Sequence, residues 1–230
     1  MITLICSDDR EDNIDHIYGL VSEGAAAGRR QLVIVPETHS HYAEKRLLAQ
    51  CGCPIGEYAQ VRTFSRASGR LLEENRVKMT PVDAGGRMLI MYKAVRMAGT
   101  SLEYYTDSAL RPETLSALAS VVSELRSCLV SPETIAAAYD QLSPKLRDIG
   151  RIYSAYCAVC GEKASFGADV IEAALPYAGH SAMIQGADVY VYGFEGFTAA
   201  EYRMLGAMLC GAGSVTVALT VGDDTQLFAE

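Results

Sequence analysis

The hydrophobic residues of the first eighty positions form short continuous runs that alternate with helix-spaced sets. The first runs predict a short buried strand over residues 2–6 and a second strand over residues 31–35, covered on both faces as in parallel sheets, and residues 61–64 give a third strand. Helical periodicity follows each run, at Ile14, Ile17 and Val21, over residues 40–50, and from about Arg66. Gly24 and Gly28 are expected to end the first helix. The order β-α-β-α-β-α predicts an α/β protein with a doubly wound parallel sheet flanked by helices.

From residue 82 to about residue 178 the pattern is almost wholly helical. One helical face carries Leu115, Leu118, Val122, Leu125 and Leu129, and a later one carries Leu146, Ile149, Tyr153 and Tyr156. Ser131 and Ser143 each precede a proline, as a serine N-cap precedes proline at the first helical position.

Strand-like runs return at residues 189–192 and 215–220, on either side of Thr198–Glu201, which has the form of a capping box that opens a helix. The simplest architecture joins residues 1–81 and 183–230 in one α/β domain. Residues 82–182 then form a helical insertion subdomain within it.

The net charge of −8 argues against strong autonomous DNA binding, because DNA binders usually carry a basic surplus that displaces counterions from phosphates. A local basic groove remains compatible with this charge.

Seven cysteines without a preceding signal peptide favour reduced thiols and a cytoplasmic protein. No apolar run nears the roughly 20 residues that span a bilayer, so no membrane contact is expected. Because the sequence stops at Glu230, soon after a strand-like run, it resembles part of a longer protein, although a natural terminus fits the same pattern.

Several short blocks are specific in combination. They are Val-Pro-Glu at 35–37, Phe-Ser-Arg at 64–66, Tyr-Gly-Phe-Glu-Gly-Phe-Thr at 192–198, Glu-Tyr at 201–202 and the strand 215–220. In this order and roughly this spacing, the blocks resemble the N-terminal region of the AddB family, also called RexB. AddB is the B subunit of the bacterial ATP-dependent helicase–nuclease, and the resemblance covers most of the chain.

The resemblance implies a P-loop NTPase-like sheet of the superfamily 1 helicase type, in a protein several times longer than this chain. It implies a role in processing double-strand DNA breaks for recombinational repair, with an AddA-type helicase–nuclease subunit as partner. The helicase-like part would hold and scan a single DNA strand. The nuclease residues, the iron–sulfur cluster and magnesium are expected in a C-terminal region outside these residues. This portion is therefore expected to carry no cofactor and not to be catalytic by itself.

The loop after the first strand departs from the family's usual phosphate-binding pattern. A helicase motor needs a glycine-rich loop that ends in Lys-Ser/Thr and cradles phosphates. Residues 6–13 contain neither glycine nor lysine, and Ser7, Asp8, Asp9 and Arg10 stand where that loop belongs. Carboxylates at a helix N-terminus stabilise the helix dipole and repel a triphosphate. The sequence therefore predicts a helicase-like domain that does not bind ATP.

Two further positions correspond to motor elements in degenerate form. Glu195 is the only acid where a motor carries Asp-Glu for magnesium, and one carboxylate without the phosphate loop cannot complete that site. Its favoured interpretation is a loop carboxylate that caps the following helix or bonds a neighbouring amide. Gln226, at the end of Gly-Asp-Asp-Thr-Gln, matches the γ-phosphate-sensing glutamine of motor helicases, and a solvated turn explains it at least as well.

Candidate DNA contacts follow two of the predicted strands, where ligands of parallel sheets gather. These residues are Thr38, Phe64, Ser65, Arg66 and Arg70. Arg66 and Arg70 share a helix face, so they can bind phosphates or can form a surface cationic face that pairs with acids. Phe64 can stack on a base, but a strand-end aromatic residue usually packs in the core, and this second interpretation is favoured.

Histidines and cysteines occur in three close pairs, His39 with His41, Cys51 with Cys53, and Cys157 with Cys160. Only the last pair has CxxC spacing, within an apolar helical pattern, so no zinc site is predicted. Two other functions fit the sequence. One is a P-loop-type nucleotide-dependent enzyme with an atypical phosphate loop, and the other is a protein-interaction module without DNA contact.

Overall fold

The computed structural model describes residues 2–51, 58–106, 108–160, 164–165 and 167–221. The chain divides into two compact units, Met1–Val77 with Ile171–Glu230, and Lys78–Val170, so the second unit is inserted in the sequence of the first. The described strands are β1 (Ile2–Ser7), β2 (Gln31–Ile34), β3 (Ala59–Arg62), β4 (Thr80–Pro81), β5 (Ala164–Ser165), β6 (Asp188–Val191) and β7 (Ser214–Thr220). The described α-helices are α1 (Arg10–Ala26), α2 (Ser40–Cys51), α3 (Phe64–Glu74), α4 (Ala84–Ala98), α5 (Pro112–Ser127), α6 (Pro132–Ala137), α7 (Pro144–Cys160), α8 (Gly167–Ala178) and α9 (Ala199–Leu209).

Five strands of the first unit form one parallel sheet in the order β1-β7-β6-β2-β3. Its register joins Ile2 to Val215, and Gln31 to both Ala59 and Asp188. All five strands predicted from the sequence are present, and helices connect them as parallel strands require. The third strand was predicted over residues 61–64, but β3 ends at Arg62, because Thr63 caps α3 and Phe64 begins that helix. The predicted α/β fold of the P-loop NTPase type, a parallel sheet flanked by helices, is therefore confirmed.

The central strands of the sheet are covered on both faces. On one face, Tyr18 and Val21 of α1 and Leu47 of α2 share a core with Val33 and Tyr190. The residues of the opposite face are buried as well: Leu32, Ile34, Val189, Val191, Val215 and Val217. This double cover explains the continuous apolar runs of β2, β6 and β7.

The strand β1 contradicts the prediction that it is a buried strand. It lies at the edge of the sheet beside β7. The side chains of Ile2 and Leu4 are 53% and 60% exposed. A continuous apolar run favours an extended segment, but it does not distinguish a central strand from an edge strand, because that depends on pairings made later in the chain.

Helix α1 shows the roles of the two glycines that were predicted to end it. Gly28 follows the helix end and has a φ of +71°, a left-handed conformation that glycine adopts without steric cost. Gly24 lies inside the helix, so the prediction that it ends α1 is wrong. A Cβ at Gly24 would overlap the amide group of the buried Gln31 side chain, so glycine here leaves room for a residue of β2.

The inserted unit has a hydrophobic core of its own, to which α4, α5 and α7 contribute. Leu115, Leu118 and Val122 of α5 are buried in this core, on the face that the sequence predicted. Leu129 does not extend that helical face as predicted. The helix α5 ends at Ser127, and Leu129 adopts a φ of 56°, which reverses the direction of the chain.

Both predicted serine caps are present in the inserted unit. The hydroxyl of Ser131 accepts the backbone N–H of Thr134 at 3.2 Å, and the hydroxyl of Ser143 accepts that of Leu146 at 3.5 Å. The sequence did not predict the two-residue strands β4 and β5, which pair in parallel. Two residues are too few for a hydrophobic period to be recognised.

Asp148 is a fully buried carboxylate in this unit. It accepts hydrogen bonds from the backbone N–H groups of residues 103–105 at 2.7–3.0 Å, and from the guanidinium of Arg151 at 3.0 Å. Burial alone would raise the pKa of this carboxyl, but the donors outweigh burial and hold its pKa below the ordinary value. We call this arrangement the Asp148 latch, because it fastens α7 to the segment that follows α4.

Candidate nucleic-acid interface and degenerate nucleotide site

The carboxyl ends of the five parallel strands meet at one edge of the sheet, the usual place for ligands in such folds. Ser7 is the last residue of β1 and Asp8–Arg10 follow it, Thr38 follows β2, and Phe64–Arg66 follow β3. Glu195 follows β6 at the same edge. Most of the residues predicted to form a site therefore lie at this carboxyl edge, while Gln226 lies outside the described residues.

The loop after β1 caps the helix that follows it. The Asp9 carboxylate accepts the backbone N–H of Glu11 at 2.7 Å, and the Ser7 hydroxyl accepts the N–H of Asp9 at 3.1 Å. Glu11 and Asp12 add two more carboxylates to the first turn of α1. The N-terminus of this helix, which binds phosphate in a motor protein, is thus surrounded by negative charge and capped by its own aspartate.

Arg10 joins this loop to the loop after β2. Its guanidinium lies 2.6 Å from Nε2 of His39. Burial, and secondly the charge of Arg10, lower the pKa of His39, which favours the neutral imidazole that accepts this hydrogen bond. Gly193, after β6, has a φ of +83°, and a Cβ there would lie 3.1 Å from Nδ1 of His39. Three loops therefore converge beside the N-terminus of α1.

An aromatic cluster stands at the same edge. The rings of Phe194 and Phe197, both half-buried, have centroids 5.0 Å apart and planes inclined by 31°. Phe64 lies against them, with centroid distances of 5.4 Å to Phe194 and 6.2 Å to Phe197, and is only 2% exposed. Phe64 thus supports the cluster from the core, and the accessible aromatic surface belongs to Phe194 and Phe197.

The two candidate arginines at this edge are exposed and form ion pairs. Arg66 lies 3.3 Å from the carboxylate of Glu44, and Arg70 lies 3.3 Å from that of Glu74. Both arginine side chains are more than half exposed, and such surface ion pairs contribute roughly 0–1 kcal/mol. These weak pairs leave the guanidinium groups open to exchange for a phosphate. Thr38 is exposed, and Ser65 is partly buried in the first turn of α3.

Glu195 is exposed on the loop between β6 and α9. The cap of α9 is formed instead by Thr198 and Glu201, in the capping box that the sequence predicted.

Across the described ranges, no three His, Cys, Asp or Glu side chains lie close enough together to hold a metal ion. Among the helices described, none combines the length and the apolar character that crossing a membrane requires.

Sequence reasoning missed the aromatic surface of Phe194 and Phe197 and the contact between Arg10 and His39. The first had a signal, since two phenylalanines three residues apart and next to glycines are unusual in a loop after a strand. The second had no local signal, because the two residues are 29 positions apart and meet only when β1 and β2 are placed in one sheet.

Comparison with known proteins is consistent with this geometry. A family described as "ADDB, N-terminal" matches residues 16–229. The chain is 26% identical to the B subunit of an ATP-dependent helicase/deoxyribonuclease from Thermoanaerobacter sp. (strain X514), over 86% of this chain and 18% of the relative. It is 28% identical to the protein of the same name from Desulforudis audaxviator (strain MP104C), over 89% of this chain and 19% of the relative. The chain thus spans about a fifth of the length of the curated relatives it matches. It belongs to the family of AddB N-terminal regions.

Proposed function

We propose that this chain is the helicase-like, ATPase-inactive part of a cytoplasmic helicase–nuclease subunit that processes double-strand DNA breaks for recombinational repair. In this role it serves as a scaffold and guides a single DNA strand, in a complex with an AddA-type subunit. Its relatives, which are named as B subunits of an ATP-dependent helicase/deoxyribonuclease, support this role. We place the nuclease, its iron–sulfur cluster and its magnesium outside this chain.

The observation that carries the loss of ATPase activity is the acidic, self-capped N-terminus of α1. Asp9 accepts a backbone N–H of the first turn, where a motor protein binds phosphate, and the carboxylates of Asp8, Glu11 and Asp12 neighbour it in the sequence, Glu11 being paired with Arg46. Arg10, the only cation among residues 6–13, is hydrogen-bonded to His39. A triphosphate bound here would have to displace the cap and would meet several like charges, which disfavours its binding.

We expect no saturable binding when ATP and magnesium are titrated into the purified chain at up to millimolar concentration, measured by isothermal calorimetry. The control variant Asp8→Lys/Asp9→Gly restores a lysine and a glycine to the loop, and a gain in affinity would identify the carboxylates as the obstacle. Micromolar binding to the unmodified chain would instead support the alternative of a nucleotide-dependent enzyme with an atypical loop.

The aromatic cluster supports the guidance of a DNA strand. Single strands bind to grooves where exposed aromatic rings stack on bases and cationic side chains meet phosphates. Phe194 and Phe197 offer such rings, braced by the buried Phe64. Arg66, two residues after Phe64, is an exposed cation at the same edge. This local arrangement suits a single strand despite the net charge of −8.

The double variant Phe194→Leu/Phe197→Leu is expected to lower the affinity for an oligothymidine by about tenfold or more, since each stacked base contributes about 1–3 kcal/mol. Fluorescence anisotropy at low salt measures this affinity. The matched control is Tyr104→Leu, which removes an aromatic ring that is 57% exposed in the inserted unit and should leave the affinity unchanged.

A second arm of this experiment tests the arginines. Arg66→Ala/Arg70→Ala is expected to weaken binding and to reduce its dependence on salt, because fewer phosphates are neutralised. If the aromatic and arginine variants both bind the oligonucleotide as tightly as the unmodified chain, the strand-guiding role is refuted. The alternative of a protein-interaction module without DNA contact would then be favoured.

A further inference from the structure

The side chain of Glu37 connects two of the loops at the carboxyl edge of the sheet. Glu37 begins the short 3-10 helix Glu37–His39, which follows β2, and it is exposed. Its carboxylate accepts a hydrogen bond from the hydroxyl of Thr63, the residue that joins β3 to α3. The two residues are 26 positions apart in the chain, so this contact ties together loops that pairing of β2 with β3 brings side by side.

Thr63 is a buried helix cap. It is only 2% exposed, and its hydroxyl oxygen accepts the backbone N–H of Arg66 at 3.2 Å. A threonine hydroxyl has one proton to donate and lone pairs to accept with. Because Glu37 takes the proton, the lone pairs are left for the N–H of Arg66, and a hydrogen bond to a carboxylate is stronger than one between neutral groups. Glu37 therefore fixes the orientation of the hydroxyl at the start of α3.

The 3-10 helix that carries Glu37 is held from its other side as well. The guanidinium of Arg10 lies 2.6 Å from Nε2 of His39, the last residue of this short helix. Gly193 packs so closely that a Cβ there would lie 3.1 Å from Nδ1 of His39 and 3.5 Å from Cδ of Pro36. The loops after β1 and β6 thus support the 3-10 helix, and Glu37 reaches Thr63 from a fixed position.

The first turn of α3 carries two of the candidate DNA contacts. Phe64, directly after Thr63, is buried against the rings of Phe194 and Phe197. Arg66, whose N–H bonds to the cap, places its exposed guanidinium at the same edge. A change in the geometry of the Thr63 cap would therefore displace the support of the aromatic rings and the cation together.

The charge of Glu37 is unfavourable for a direct contact with DNA. A carboxylate beside a phosphate-binding surface repels the phosphates. On charge alone, removal of this carboxylate would therefore tighten the binding of a DNA strand. A role for Glu37 that operates through Thr63 has the opposite sign, because loss of the hydrogen bond would loosen the turn that presents Phe64 and Arg66.

We propose that Glu37 is a positioning residue of the DNA interface: through the hydroxyl of Thr63 it holds the first turn of α3, and hence Phe64 and Arg66, in place for a single strand. This proposal rests on the proposed strand-guiding function, whereas the hydrogen bonds on which it is built do not. Glu37 itself makes no contact with the strand.

The test measures the affinity of the full chain for an oligothymidine by fluorescence anisotropy at low salt. Glu37→Ala is expected to raise the Kd by about threefold or more, in the range by which residues of one hydrogen-bond network depend on each other. Glu37→Gln removes the charge but keeps an oxygen that accepts the Thr63 hydroxyl, so its Kd should not exceed that of the unmodified chain. The matched control is Glu23→Ala, which removes an exposed carboxylate near the other end of α1 and should leave the Kd unchanged.

Hydrogen exchange of the Arg66 amide, measured by NMR without DNA, provides a second readout. Exchange should be faster in Glu37→Ala than in the unmodified chain and unchanged in Glu37→Gln, because this amide is bonded to the Thr63 hydroxyl. Unchanged exchange in Glu37→Ala would overturn the proposal.

A Kd for Glu37→Ala equal to or below that of the unmodified chain would also overturn it, as would a Glu37→Gln variant that binds as weakly as Glu37→Ala. If these results came with weakened binding by Phe194→Leu/Phe197→Leu, the positioning role alone would fail and the strand-guiding function would stand. If the aromatic and arginine variants also left the affinity unchanged, both would fail.

Discussion

Replacing Asp148 with alanine is expected to lower the free energy of unfolding by about 3–5 kcal/mol, the range for removal of one partner from a buried charged group. The Asp148 latch satisfies three backbone N–H groups and the Arg151 guanidinium with one carboxylate. Without it, these donors are left in a poorly hydrated region, where each unsatisfied donor costs about 1–3 kcal/mol. Urea denaturation followed by circular dichroism measures the effect.

The pH dependence of this effect has a definite sign. The pKa of Asp148 is lower in the folded protein than its ordinary value, so the carboxylate stabilises the fold above that ordinary value. This stabilisation is lost as the pH falls through the lowered pKa. The difference in stability between the unmodified chain and Asp148→Ala is therefore expected to be full at pH 7 and to shrink below about pH 4.

Glu103→Gln is the matched control for the Asp148 latch. Glu103 is partly exposed and forms ion pairs with Arg147 and Arg151, so its loss should cost no more than about 1 kcal/mol. A loss as large as that of Asp148→Ala would show that the ion pairs, and not the latch, hold α7 to the segment before α5. A pH-independent difference for Asp148→Ala would also contradict the role given to its charge.

Replacing Phe64 with alanine is expected to cost about 3–5 kcal/mol of stability, as other buried phenylalanines do. A second effect, on DNA affinity, is expected as well, because Phe64 also supports Phe194 and Phe197 at the carboxyl edge. Affinity for an oligothymidine should therefore fall although Phe64 itself is only 2% exposed. Denaturation and anisotropy, both performed at a temperature where the variant remains folded, separate the two effects.

Phe64→Leu serves as the control, since it keeps most of the buried volume and should cost less than the alanine variant in both measurements. If Phe64→Ala lowered stability and left the affinity for DNA unchanged, Phe194 and Phe197 would not depend on the buried ring. The proposed brace would then be wrong, whereas the stacking role of the two outer rings would stand on their own variants.

The sheet could be predicted from the sequence because its central strands are covered on both faces. Such strands require continuous runs of apolar residues, and residues 31–35, 189–192 and 215–220 supply them. The helix caps were predictable because they are local. Each cap hydroxyl accepts the backbone N–H of the residue three positions later, as Ser131, Ser143 and Thr198 do. The exposure of Ile2 and Leu4 was not predictable, because it depends on the pairing of β1 with a strand more than 200 residues later.

The sequence predicted at which edge of the sheet the candidate residues lie, but it did not predict which of their side chains contact one another. Strand ends predicted where Ser7–Arg10, Thr38 and Phe64–Arg66 lie, and the absence of a glycine-rich loop was visible directly. The contact of Arg10 with His39 and the position of Phe64 beneath Phe194 join loops that are distant in the chain. Such contacts are set by tertiary packing, which leaves no periodic signal.

The pairing of Gln31 with Asp188 has a consequence for biosynthesis. The two residues are 157 positions apart, so at about 5–20 residues per second a ribosome needs roughly 8–30 seconds to make the second after the first. The inserted unit is synthesised within that interval, and its own core can form before β6 has been synthesised to pair with β2. Nascent chains are therefore expected to expose the apolar residues and the unpaired strand edge of an incomplete sheet for many seconds, a state in which chains are prone to aggregate.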